Sequence, residues 1–79
     1  MQAYVLINVR AGKAREVVEK VRQIEGIKQA NACWGRPDVF TLADVPNEEL
    51  LEETVLAKIQ GIDGVESTDT HLVIESSTY

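Results

Sequence analysis

A short pattern that occurs twice constrains the fold of this chain more than any other feature. Residues 21–27 read V-R-Q-I-E-G-I and residues 59–65 read I-Q-G-I-D-G-V, so the two copies superpose with one constant offset. In each copy a glycine follows the last apolar residue of a helical period, where a left-handed turn commonly ends a helix. The chain therefore contains two halves of the same kind, each with the order strand, helix, strand.

Residues 3–9, A-Y-V-L-I-N-V, predict the first strand, because β-branched and aromatic residues fill a run too short for an independent helix. Alternate residues of a strand point to opposite faces. One face carries Ala3, Val5, Ile7 and Val9, and the other carries Tyr4 and Leu6. Since both faces are largely apolar, we expect a central strand that is covered on both sides.

The first helix is predicted from apolar residues at helical spacing. These are Val17, Val18, Val21 and Ile24, and charged residues occupy the opposite side. We expect this helix to end at Gly26, where a left-handed conformation is needed.

The second helix is expected to begin at Asn47, whose side chain suits the N-cap position. It presents Leu51, Val55 and Ile59, spaced four apart, to the core. It is closed by Gly61 and Gly64.

The remaining strands are predicted from short β-forming runs. Residues 29–34 and 39–43 form a hairpin around the four-residue loop 35–38, G-R-P-D, whose glycine and proline are turn formers. Within residues 67–74, threonines alternate with Asp69 and His71 before the short apolar run 72–74, which fits an edge strand with one face in solvent.

The order β-α-β-β-α-β indicates an α+β protein of the ferredoxin-like class, with a four-stranded antiparallel sheet and both helices on one face. We expect one domain over residues 1–79. The other face of the sheet then carries apolar side chains that need a partner. We expect Tyr4, Leu6, Trp34 and Phe40 to form the interface of a homodimer, in a dimeric α/β barrel-type assembly.

The composition argues against several classes of function. Thirteen acidic and eight scattered basic residues give a net charge of −5, which disfavours direct binding to nucleic acid. No apolar run is long enough to span a membrane, and Met1 leads directly into the first strand, so we expect a cytoplasmic protein.

Cysteine and histidine content bears on catalysis and metal binding. The single Cys33 allows no intrachain disulfide, and together with the single His71 it does not make a metal site. We expect Cys33 to be a small buried hydrophobic residue and His71 to be structural, so no catalytic residue and no cofactor are predicted.

These features together resemble the effector-binding domain of the Lrp/AsnC family, also called the RAM module. The resemblance covers nearly the whole chain. It is carried by A-Y-V-L-I-N-V at 3–9, A-G-K-A-R-E-V-V at 11–18, I-E-G-I at 24–27, G-R-P-D at 35–38, I-D-G-V at 62–65 and S-T-D-T at 67–70. Pro37 stands where family members commonly carry an aromatic residue, and the helix-turn-helix of the family's regulators is not expected here.

The resemblance implies a module that senses a free amino acid and regulates amino-acid metabolism or transcription. Its homodimers would assemble into higher oligomers and could also join full-length Lrp/AsnC regulators. A receptor for an amino acid needs an acceptor for the ammonium group and donors for the carboxylate. The predicted effector-binding residues are Gly35, Arg36, Asp38, Thr68 and Thr70.

Other interpretations of the same residues remain open. Gly35 and Asp38 are also typical of a tight turn, and Thr68 and Thr70 are ordinary β-formers. A small ferredoxin-like enzyme of the monooxygenase type would have to rely on His71. An ACT-like domain would place its amino acid at the loop 10–13 instead.

Overall fold

The computed structural model describes residues 1–74, which form four strands and two helical regions. The elements are β1 (Gln2–Val9), α1 (Ala14–Arg22), β2 (Ile27–Ala32), β3 (Val39–Asp44), a second helix over residues 48–60, and β4 (Val65–Leu72). The second helix contains α2 (Glu48–Leu50), a π-helix (Leu51–Leu56) and α3 (Ala57–Gln60).

The four strands form one antiparallel sheet in the order β2-β3-β1-β4. The two central strands, β1 and β3, align Val5 with Thr41 and Ile7 with Val39. This order and the two helices confirm the predicted ferredoxin-like fold. The expectation of a central first strand and an edge position for the last strand is also confirmed.

The core lies between the helices and one face of the sheet. The alternating residues Ala3, Val5, Ile7 and Val9 of β1 are all buried, as the strand period predicts. Against them pack buried residues of both helices: Val17, Val18, Val21, Leu51, Val55 and Ile59. Burial of this apolar surface is the main stabilising term of the fold.

The second helix departs from the regular α-helix that its sequence predicts. Asn47 is the N-cap as expected, and its side-chain oxygen accepts a hydrogen bond from the Leu50 amide at 2.8 Å. The middle of the helix is a π-helix. Two of the predicted core residues, Leu51 and Val55, belong to this π-helical segment. Both are buried.

The repeated glycine turns are confirmed by the backbone. Gly26 and Gly64 have φ of 99° and 103°, in the left-handed region. A Cβ at Gly26 would lie 3.0 Å from Val45 Cγ1, and one at Gly64 would lie 2.9 Å from Lys13 Cβ. Glycine is therefore required at both positions by conformation and by close packing.

The strand boundaries near the hairpin differ from the prediction. β2 begins at Ile27 and ends at Ala32, so the loop before β3 is longer than four residues. The Cys33 amide still donates to the Asp38 carbonyl at 2.7 Å, but Trp34 lies beyond the ladder. β4 likewise begins and ends earlier than predicted, at Val65 and Leu72.

The outer edge of β2 is occupied by a side chain of α1. Arg22 Nε donates to the Ala30 carbonyl at 2.9 Å and thereby ties the end of the helix to the edge strand. Across the part of the chain that the structure describes, no helix has the length and apolar character that crossing a membrane requires.

Candidate functional site

Charged side chains gather at one end of the sheet, where β1 ends, the β2–β3 hairpin turns and β4 begins. We call this region the charged end. It comprises Arg10, Lys13, Arg36, Asp38, Asp63 and Glu66. The hairpin 35–38 and the loop 10–13 both contribute to it, so two of the predicted ligand positions share one end of the fold.

Asp38 holds the hairpin against β1. Its amide donates to the Ile7 carbonyl at 3.0 Å, and its Oδ2 accepts a hydrogen bond from the Val9 amide at 2.8 Å. The carboxylate thus extends the β1–β3 pairing by one bond and accepts from the backbone of the neighbouring strand. Its exposure is low, at 23% of the side chain, which strengthens its interactions with nearby charges.

Arg36 contacts three groups from the same loop position. Its Nη1 lies 3.4 Å from Asp38 Oδ2 and donates to the Val9 carbonyl at 3.5 Å, while its Nη2 donates to Glu66 Oε1 at 3.2 Å. A guanidinium is a planar fork of donors that suits carboxylates. One cation and one carboxylate therefore stand side by side on the hairpin.

A β-bulge brings Glu66 to this position. β1 pairs Asn8 with Ser67 and Val9 with Val65, so Glu66 is the extra residue with no partner in the register. A bulge bends the strand and redirects a side chain. The carboxylate of Glu66 consequently reaches Arg36 across the end of the sheet.

Asp63 links the loop 10–13 to the turn before β4. Its carboxylate lies 3.3 Å from Arg10 Nη2 and 3.6 Å from Lys13 Nζ. The Arg10 hydrogen bond and charge, followed by the charge of Lys13, lower the pKa of Asp63 below its ordinary value. The Arg10 amide also donates to the Gly64 carbonyl at 2.7 Å, which fixes the loop to the turn.

Gly35 gives the hairpin its shape. Its φ of 97° lies in the left-handed region, and a Cβ built there would meet no atom within 4 Å. Glycine is thus needed for its backbone conformation, and open space lies in front of it. The amides around Gly35 and Arg36 can be approached closely by a small molecule.

The two predicted threonines lie elsewhere on β4. Thr68 pairs with Ile7 and Thr70 with Val5, so both share the helix-covered side of the sheet. Both are half-buried, and Thr68 Oγ1 accepts a hydrogen bond from Gln60 Nε2 at 3.4 Å. The structure brings Gly35, Arg36 and Asp38 together but does not bring these hydroxyls to the hairpin.

The opposite face of the sheet is not covered by helices. We call it the open face. Its centre is apolar, with Tyr4 49% and Phe40 42% exposed and Leu6 between them half-buried. Register places Leu42, Asn8, Ser67, Asp69 and His71 on the same face. Three of the four predicted interface residues therefore lie together.

Trp34 is separate from the other predicted interface residues. It is fully exposed and borders a groove together with Ala14 and Arg15 at the start of α1. Trp34 therefore lies on the helix side of the hairpin. The reason is the alternation along the chain: Ala32 pairs with buried Val39 on the covered face, and Trp34, two residues further on, lies on that same side.

The structure also places Cys33 and His71, the single cysteine and the single histidine of the chain. Cys33 is exposed, so the prediction of a buried residue is wrong, because Cys33 follows Asn31 on the side of Phe40, away from the helices. His71 is exposed on the open face, where its Nε2 lies 3.0 Å from Asp69 Oδ2. Within residues 1–74 no group of three or more His, Cys, Asp or Glu side chains is arranged to hold a metal ion.

Four residues of the charged end are not among the predicted site residues: Arg10, Lys13, Asp63 and Glu66. The sequence points to the loop 10–13 only through the ACT-like alternative, and to Asp63 only as part of the repeated turn. The role of Glu66 depends on the bulge, which is a property of the pairing between β1 and β4.

Comparison with known proteins adds family information to this geometry. The family model of the Lrp/AsnC ligand binding domain matches residues 2–79. An uncharacterized HTH-type transcriptional regulator of Pyrococcus furiosus is 31% identical over 71 residues, which are 90% of this chain and 48% of the relative. The chain thus spans about half the length of the curated relatives it matches.

Solved structures show the same fold. The protein TTHA0845 from Thermus thermophilus superposes with a TM-score of 0.89 at 24% identity, over 99% of this chain and 98% of that one. The transcriptional regulator NMB0573 from Neisseria meningitidis, solved as an L-Met complex, superposes with a TM-score of 0.80 at 22% identity. That superposition covers 99% of this chain and 52% of the Neisseria chain.

Proposed function

Because the chain belongs to the Lrp/AsnC ligand binding domain family, we propose that it binds a free amino acid at the hairpin 35–38 and that binding controls its self-association. The observation that carries the proposal is the pairing of Arg36 with Asp38 at 3.4 Å beside the open space at Gly35. An amino acid carries an ammonium and a carboxylate close together. The hairpin offers an opposite charge for each.

The two charged groups of the ligand would bind to different parts of the hairpin. Asp38 Oδ2 is engaged by the Val9 amide and Arg36, so Oδ1 is the oxygen that would accept from the ammonium group. The ligand carboxylate would bind the Arg36 guanidinium and the backbone amides around Gly35. Thr68 and Thr70 belong to the predicted site, but their position on the helix side makes them its most remote members.

The ligand class is supported by the fold's relatives. A structural neighbour with this fold was solved with L-Met, and the curated relatives are transcriptional regulators. The family is thus a regulatory one, which agrees with the prediction of a binding module rather than an enzyme. We propose that this chain acts in the cytoplasm, alone or together with full-length regulators of its family.

Self-association would use the open face. The proposed partner is a second copy, because the exposed apolar side chains Tyr4 and Phe40, with Leu6 beside them, can be buried against the same patch of another molecule about a twofold axis. The resulting homodimer would be a dimeric α/β barrel-type assembly, and higher oligomers would form from such dimers. The charged end lies at the rim of this face, so a ligand there could act on the contacts between dimers.

The first test is a thermal-shift screen of the purified protein against the twenty L-amino acids, with light scattering in parallel. A ligand that binds only the native protein raises its melting temperature. We expect one amino acid or a related group to raise it and to change the assembly size.

The matched variants are Asp38→Asn and Asp44→Asn. Asparagine at 38 keeps an oxygen that can accept from the Val9 amide but removes the charge needed by an ammonium group. Asp44 lies at the end of β3 that is away from Asp38 and serves as the control. The proposal predicts loss of the shift in Asp38→Asn alone. It would be abandoned if no amino acid produced a shift, or if both variants bound as the wild type does.

A further inference from the structure

The ion pair between Arg36 and Glu66 has a role that amino-acid binding alone does not require. Glu66 is the unpaired residue of the β1–β4 bulge, and its carboxylate contacts Arg36 Nη2 at 3.2 Å. Bulges often occur beside functional sites, where they redirect one side chain. Here the redirected group is a carboxylate, which is also the group that the proposed ligand would present to the same guanidinium.

The two sides of the guanidinium differ in what they hold. Nη1 faces Asp38 and the Val9 carbonyl, which are parts of the hairpin and of the strand it is fixed to. Nη2 faces Glu66, which comes from a different strand. An incoming carboxylate can replace Glu66 without disturbing the contacts that fix the hairpin to β1.

We propose that Glu66 is an internal competitor for the ligand. Its carboxylate holds Arg36 while the site is empty, and the carboxylate of the bound amino acid displaces it. The inference rests on the proposed function and deepens it, because it names the regulation of that site. The exchange replaces one carboxylate by another at Arg36, so the charge around the guanidinium is preserved.

Release of Glu66 into solvent requires little free energy. Its side chain is already 51% exposed and that of Arg36 is 59% exposed. Exposed ion pairs contribute little stability, so the pair can open easily. The competitor would therefore lower the affinity for a carboxylate ligand only moderately.

The test compares the wild-type protein with Glu66→Gln and Glu66→Thr in titrations with each of the twenty L-amino acids. Glutamine keeps the size of the side chain and removes its charge, while threonine suits a strand and removes the carboxylate entirely. We expect both variants to bind the best amino acid roughly two- to fivefold more tightly than the wild type, the range that loss of an exposed ion pair allows. Glu19→Gln, an exposed carboxylate on α1, is the control and should change nothing.

Two further measurements separate competition from a general charge effect. The carboxamide of the best amino acid lacks the competing carboxylate, so removal of Glu66 should not improve its binding to the same degree. In an Arg36→Gln background, Glu66→Gln should no longer strengthen binding, since the contested group is gone.

The outcomes distinguish this inference from the function on which it rests. Wild-type binding that is unchanged or weaker in both Glu66 variants would overturn the competitor role and leave amino-acid sensing intact. Binding by the Glu66 variants but not by the wild type would support both the competitor role and amino-acid sensing. An absence of binding in the wild type and in both variants would overturn both.

Discussion

The two faces of the sheet are built from the same strands but differ in how far their side chains are buried. On the helix-covered face Val5, Ile7 and Val39 are fully buried, whereas on the open face Tyr4 and Phe40 keep nearly half of their surface. The covered face therefore supplies the stability of the chain, and the open face is the surface proposed for self-association. Mutations on the two faces should separate folding stability from self-association.

The largest effect is expected from truncation on the covered face. Ile7→Ala should lower the free energy of unfolding by about 2–5 kcal/mol, because it leaves a cavity in the core. Chemical denaturation measures this loss. Gln29→Ala changes an exposed residue of β2 and is the control; its free energy of unfolding should stay within about 0.5 kcal/mol of that of the wild type. Equal losses at both positions would remove the distinction between core and surface.

The open face should respond in association rather than in folding. Phe40→Asp should weaken self-association by roughly tenfold or more, because burial of an unpaired charge is costly. Sedimentation equilibrium gives the association constant, and circular dichroism checks the fold. Lys58→Asp changes an exposed residue of the second helix to the same final side chain and is the control. If the two variants associated equally well, the open face would not be the interface.

One buried residue of the covered face is polar, and its replacement should raise the free energy of unfolding by less than Ile7→Ala lowers it. Thr41 is buried, and its Oγ1 has no hydrogen-bond partner among residues 1–74. A buried hydroxyl without a partner is destabilising, so Thr41→Val should raise the free energy of unfolding by about 1 kcal/mol. Thermal or urea denaturation checks the sign. A loss of stability would show that the hydroxyl is satisfied in solution.

The smallest effect belongs to the charged end, which lies outside both faces. Because the pKa of Asp63 is lower in the folded chain than in the unfolded one, its ion pairs stabilise the protein at neutral pH. This contribution disappears as the pH falls below about 4 and the carboxylate becomes protonated. The stability difference between the wild type and Asp63→Asn should therefore shrink in acid, measured by denaturation from about pH 7 to about pH 3. A difference that did not depend on pH would contradict the assignment.

Much of the fold could be predicted because its signals are local. The glycine at 26 and 64 and the cap at Asn47 depend on their own turns, and the alternation in β1 depends on the strand period alone. The π-helix in the second helix was not predicted, because apolar residues spaced four apart are typical of an ordinary α-helix. Local periodicity does not report how wide a helical turn will be.

The candidate site was only partly predictable for a related reason. The hairpin residues Arg36 and Asp38 are close in sequence, and their contact follows from the turn. Glu66 reaches Arg36 through a bulge between strands that are distant in the chain, and Cys33 is exposed because the β2–β3 register puts it on the side of the open face. Both depend on the register of the pairing, which the sequence pattern does not specify to one residue.

The bond from Arg22 to the Ala30 carbonyl also affects how copies of this chain can meet. An edge strand with unoccupied carbonyls can accept the strand of another molecule and seed uncontrolled aggregation. A guanidinium on the middle of β2 occupies one such acceptor and puts a positive charge along that edge. Growth of ribbons through this edge is therefore disfavoured.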